Sequence, residues 1–110
     1  MHHDMKAAAK ICLDCHSICV ATISHCLKHG GPHAEAAHIR IMMDCAQICM
    51  TCADFMLRGS DHAHHLCQEC ADICRACEAS CRALADGDAV DLACAEACRA
   101  CAESCSGMAD

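Results

Sequence analysis

The chain has 110 residues, a formal net charge of −7, 16 cysteines, no Trp or Tyr, and Phe55 as its one aromatic. That length predicts a single domain with a small core, and the acidic balance excludes nucleic acid and anionic membrane surfaces as partners. The hydrophobic fraction of 55% is mostly cysteine and alanine, so either cysteine is the core or a ligand held by cysteine is.

Turn-forming residues divide the chain into four helical stretches, approximately 4–29, 33–58, 61–85 and 88–106, with no strand pattern between the breaks. The first carries Cys12, Cys15, Cys19 and Cys26 and ends at Gly30-Gly31-Pro32, where glycine suits a helix end and proline a first turn. The second carries Cys45, Cys49 and Cys52 and ends at Gly59-Ser60-Asp61; Ser60 or Asp61 is the expected cap of the third. The third carries Cys67, Cys70, Cys74, Cys77 and Cys81 and ends at Asp86-Gly87-Asp88, with Asp88 the expected cap of the fourth. The fourth carries Cys94, Cys98, Cys101 and Cys105, and Gly107 closes it. Loops this short make neighbouring helices antiparallel, so the expected fold is all-α, an up-down-up-down four-helix bundle.

A helix turns about 100° per residue, so cysteines three, four and seven apart stay within an arc of about 60–80°. Each helix therefore presents one sulfur stripe, placed where the seam of a bundle lies. The acidic residues Asp4, Asp14, Asp44, Asp54, Glu69, Asp72, Glu78, Glu96 and Glu103 lie mostly off these arcs and read as a solvated outer face. A second apolar set, including Ile11, Ile18, Ile39, Met43, Met50, Ile73 and Leu92, serves either packing between adjacent helices or contact with another copy.

No segment has roughly 18 consecutive apolar residues to span a bilayer. The stretch Met1-His2-His3-Asp4-Met5-Lys6 lacks the plan of a secretory signal, so a reducing cytoplasmic setting is expected. Dense cysteine then points to metal before disulfides. Thiolates select Cu(I), Zn(II) or iron–sulfur clusters. The CxxC pairs sit inside helices and not in zinc-knuckle loops, and neither common iron–sulfur spacing is present. A CxxC redox enzyme would need a strand beside its helix. Bridges within one helix are awkward and stabilise little, and a purely packing role does not account for sixteen thiols in register.

Cu(I) fits best, because it accepts two or three thiolates with little geometric demand and one sulfur can bridge two ions. If each ion takes two sulfurs and each sulfur serves two ions, the capacity is on the order of 16 ions per chain. A zinc-thiolate buffer and a redox-active thiol reservoir remain as alternatives.

The four cysteine stripes, the repeated CxxC and CxxxC steps and the near absence of aromatics resemble the bacterial copper storage proteins, over the whole chain. The resemblance implies a cysteine-lined bundle that is not an enzyme, holds many Cu(I) ions on all sixteen cysteines and belongs to the cytosolic branch. It also implies a homotetramer and histidine or methionine at the bundle mouth. His38 and Met42, with His29 and His33 nearby, make one end the expected entrance; Met56, with Met5 and Met108, makes the other end the rival. A copper chaperone or chelator is a possible partner. His16 and His25 are expected at surface or edge positions, His62, His64 and His65 in solvent, and His2-His3 as an adventitious Cu(II) or Ni(II) site.

Overall fold

The computed structural model describes residues 4–109, so His2 and His3 lie outside the described residues. Helices α1 (Met5–His29), α2 (Ala36–Leu57), α3 (Ala63–Ala85) and α4 (Ala89–Met108) follow in order, with a 3-10 turn (Gly31–Ala34) between α1 and α2. Each helix packs on its neighbours in sequence and α1 closes the ring against α4, which makes the expected antiparallel bundle. It is a slim rod, 43 × 20 × 17 Å.

The helix ends follow backbone chemistry. Asp4 Oδ1 accepts from the N–H groups of Lys6 and Ala7, and Asp88 Oδ1 accepts from those of Val90 and Asp91, so α1 and α4 are capped by carboxylates. Gly30, at φ 76°, ends α1 and donates its N–H to Cys26 O. Three details differ from expectation. Pro32 sits in a separate 3-10 turn that begins at Gly31, and an extended Glu35 delays α2 to Ala36. Neither Ser60 nor Asp61 caps α3: the Ser60 hydroxyl accepts from His62 N–H inside the turn, and α3 starts at Ala63 without a side-chain cap. Gly107 does not stop α4, which runs on to a buried Met108.

The stripes face inward, and every cysteine is at most 1% exposed. Alanines beside them (Ala9, Ala46, Ala53, Ala71, Ala95, Ala102) are also buried, so the helices meet through small side chains. The outer set divides: Ile39 and Ile73 pack half-buried on the core, whereas Ile11, Ile18, Met43, Met50 and Leu92 stand exposed, joined by Leu13, Val20, Leu27, Leu57 and Val90. Packing within one chain therefore does not account for most of it. By length and mean hydropathy (1.3 over an 18-residue window) α1 passes as a membrane-crossing helix, against the expectation from sequence. Cysteine raises that value, and here the α1 cysteines lie inside the bundle.

Because two of the helices are capped by carboxylates and all four are alanine-containing and packed without any ion, the metal-free chain should give a helical circular dichroism spectrum; a coil spectrum that turns helical only with copper would contradict this. The bond from Asp91 N–H, then His25, holds the Asp88 carboxyl below its usual range. A lowered folded-state pKa means the cap acts fully at neutral pH and weakens as pH falls through that value. Asp88→Ala should therefore lower the thermal midpoint at pH 7, by a margin that narrows in strong acid; a margin independent of pH would rule out the charged cap.

Candidate metal centre

The stripes on four helices bring their sulfurs into one run along the bundle axis. Near the Met56 end, Cys52 Sγ lies 3.5 Å from Cys67 Sγ, and Cys12 Sγ 3.5 Å from Cys105 Sγ. Cys101 Sγ is 3.7 Å from Cys12 Sγ and 3.8 Å from Cys49 Sγ, which carries the run onward. Cys49 meets Cys70 and Cys74 at 3.8 and 3.7 Å, and Cys74 meets Cys45 at 3.7 Å. Cys98 then touches Cys45 at 3.8 Å, Cys19 at 3.9 Å and Cys15 at 4.0 Å. Cys19 passes the series to Cys94 at 3.9 Å, beside Cys77 and Cys81. Groups such as Cys49, Cys70, Cys74 and Cys101 keep all four sulfurs within 4.8 Å of one another.

Burial and sulfur–sulfur hydrogen bonding keep many of these thiols protonated. Cys70 is pushed far up by bonds with Cys101, Cys105, Cys12 and Cys49, and burial adds to it. Cys98 rises for the same reasons, through Cys15, Cys19, Cys45 and Cys77. The same bonds pull their partners the other way: Cys15 and Cys105 are lowered, each first by its bond with Cys101, so neighbouring sulfurs share protons along the row.

Cys26 stands apart from this run. Its Sγ lies 3.2 Å from Asp91 Oδ1 and 3.6 Å from His38 Nε2. Burial first, and then Asp91, push its thiol up to about 12. His38 is 4% exposed and is oriented by a 2.7 Å bond between Nδ1 and Ser80 Oγ. Met42 is fully buried on the same stripe, between His38 and Cys45. At the opposite end Met56 and Met108 are buried, with Met5 and Phe55 packed half-buried beside them, so that end is lined by apolar groups.

At the Cys26 end Asp91 is unexpected from the sequence, and His33, expected only near the entrance, is drawn inside. Asp91 is 0% exposed and His33 only 6%, and Asp91 Oδ2 approaches His33 Nδ1 to 2.8 Å. A signal for Asp91 existed: it lies three residues before Cys94, on the same arc of α4. His33 has no periodicity to betray it, because the 3-10 turn carries it inward. His16 and His25 act as ties between helices. His16 Nδ1 is 2.7 Å from Ala46 O, and His25 Nε2 is 2.9 Å from Asp88 Oδ2. His62, His64 and His65 are exposed.

A cysteine at the centre of the run contributes little packing beyond its sulfur. Cys98→Ala should cost the metal-free chain only on the order of 1 kcal/mol in urea denaturation. A loss of several kcal/mol would mean that the thiols are chiefly a structural core.

Residues 1–110 match the family model described as Csp, copper storage protein. The uncharacterised cysteine-rich protein YhjQ of Bacillus subtilis (strain 168) is 36% identical over 81 residues, which is 74% of this chain and 75% of that protein. Among solved structures, Nmul_A1745 from Nitrosospira multiformis superposes with a TM-score of 0.88 at 43% identity, covering 96% of this chain and 94% of that one. The Cu(I)-bound copper storage protein BsCsp3 gives 0.86 at 36% identity over 94% of this chain and 96% of that one. The apo form of Csp3 from Bacillus subtilis gives 0.84 at 34% identity, covering 97% and 100%. A sulfur-lined four-helix bundle matched along its whole length in this way belongs to the copper storage protein family.

Proposed function

We propose that this chain, as one domain without catalytic activity, stores and buffers many Cu(I) ions on its sixteen cysteines, with His38 and Met42 serving copper entry. The observation that carries this reading is the row of buried sulfurs along the bundle, most of them 3.5–4.0 Å from a neighbour and joined through four-sulfur groups within 4.8 Å, too many and too close for isolated sites. Charge supports the same reading. Each Cu(I) replaces one thiol proton, so a filled core gains no net charge.

Zinc deserves comparison because four-sulfur groups are present. A tetrahedron with Zn–S of 2.3 Å has edges of about 3.8 Å, and Cys49, Cys70 and Cys74 lie 3.7–3.9 Å apart. Four thiolates around Zn2+ nevertheless leave a charge of −2 in a core without counterions, repeated at every site. Geometry allows zinc, whereas charge favours copper.

Entry at the His38 end is supported by its nitrogen and oxygen groups beside Cys26, against the apolar plug at the Met56 end. The exposed apolar residues outside the bundle suit a homo-oligomer, a tetramer by family resemblance, and reduced thiols suit the cytoplasm. A chaperone or small chelator would deliver or withdraw the ions.

Anaerobic titration in competition with a Cu(I) chelator of known affinity should show uptake on the order of 16 ions per chain. Saturation at a few ions, or displacement of copper by Zn2+, would overturn the storage reading. Because one proton leaves per ion bound, apparent affinity should fall about tenfold for each pH unit of acidification; affinity independent of pH would mean that the thiols are not the ligands. His38→Ala and Met42→Leu should slow uptake while leaving capacity nearly unchanged. If Met56→Leu slows uptake instead, the doorway is at the other end.

A further inference from the structure

The vestibule around Cys26 differs chemically from the interior. Four segments contribute one donor each: Cys26 from α1, His33 from the 3-10 turn, His38 from α2 and Asp91 from α4. All four are buried, none more than 6% exposed. Asp91 sits between two of the others, with Oδ1 3.2 Å from Cys26 Sγ and Oδ2 2.8 Å from His33 Nδ1. The His33 Nδ1 and Asp91 Oδ2 atoms face each other off the direction of a hydrogen bond, and neither has another protein partner. Buried polar atoms left in this state are uncommon and costly.

A metal ion between these donors would satisfy them. Around a four-coordinate ion with bonds of 2.0–2.3 Å, neighbouring donors stand about 3.3–3.7 Å apart. Three contacts are within about half an ångström of those values: 2.8 Å for His33 Nδ1 to Asp91 Oδ2, 3.2 Å for Asp91 Oδ1 to Cys26 Sγ and 3.6 Å for Cys26 Sγ to His38 Nε2, so the two oxygens of Asp91 and the Cys26 sulfur link the four side chains in sequence. Outer contacts already fix two of the donors. Ser80 Oγ holds His38 Nδ1 at 2.7 Å, which turns Nε2 toward Cys26, and Asp88 Oδ1 accepts from Asp91 N–H at 3.0 Å.

The donor set also selects the ion. A carboxylate is a hard ligand, poorly matched to Cu(I), whereas two imidazoles, one thiolate and one carboxylate suit a borderline divalent ion. Thiolate and carboxylate together carry −2, which a 2+ ion neutralises. The interior sets up the opposite balance, one positive charge per thiolate. We propose that Cys26, His33, His38 and Asp91 form a site for a single divalent cation of the Zn2+ class, distinct from the sulfur-only interior. Cys26 and His38 are shared with the entry path of the proposed function, so on that reading the divalent ion stands in the doorway.

Anaerobic titration of the full metal-free chain with Co2+, whose absorption reports its ligands, tests the site. The first equivalent should give the visible bands of a four-coordinate ion with the charge-transfer intensity of one thiolate. Asp91→Asn and His33→Gln should each abolish that spectrum, and Asp91→Glu should restore it in part. A first equivalent with the intensity of four thiolates, no Co2+ uptake, or a spectrum unchanged in both variants would overturn the proposal. If Asp91→Asn does not fold, His33→Gln carries the test, because residue 33 lies on a connecting turn outside the helices. Cu(I) capacity of the same variants should stay as in the parent; its loss or retention bears on storage, and the Co2+ spectrum bears on the divalent site.

Discussion

A dry row of sulfur atoms can take in cations only if each ion brings as much positive charge as the thiolates it creates. That requirement shapes the rest of this molecule. Away from the Cys26 end the sulfur row has no basic group beside it among the described residues, so it balances charge only with ions that bring one positive charge per thiolate. The outer surface keeps its carboxylates in solvent, several paired with Arg82 and Arg99 and none of these close to the sulfur run.

Holding sulfur at this density limits what the helices can do for themselves. Cysteine and alanine bury little area each, and no aromatic side chain fills the interior. Stability then depends on features at the edges of the bundle. Carboxylate caps at Asp4 and Asp88 begin two helices, and His16 and His25 tie α1 to α2 and to the start of α4. Several isoleucine, leucine and valine side chains stay exposed on the outside and add little to the core.

Much of this was legible in the sequence, because a period near 3.6 residues is a strong signal when one residue type repeats sixteen times. Stripe membership predicted the inward face of every cysteine, His38 and Met42 were expected at the bundle mouth, and Asp88 was recognisable as a cap. The same rule extended one step would have placed Asp91 on the α4 stripe, but a carboxylate is expected outside. The inward turn of His33 depends on the 3-10 turn from Gly31 to Ala34 and on where Glu35 lets α2 begin, which no periodicity encodes. The uncapped start of α3 was misjudged for a related reason: the Ser60 hydroxyl is used inside the turn before it can reach the helix. The two ends of the bundle therefore differ more than their sequences suggest, one closed by methionine and phenylalanine, the other holding a buried acid and two imidazoles.

The central claim is that copper lies within the sulfur run as a connected array of ions sharing thiolates. X-ray absorption at the copper edge of the fully loaded protein tests it most directly. The account predicts a first shell dominated by sulfur, with a second scatterer at short distance from neighbouring copper ions. A first shell of nitrogen and oxygen, or isolated ions with no copper neighbour at full loading, would contradict it.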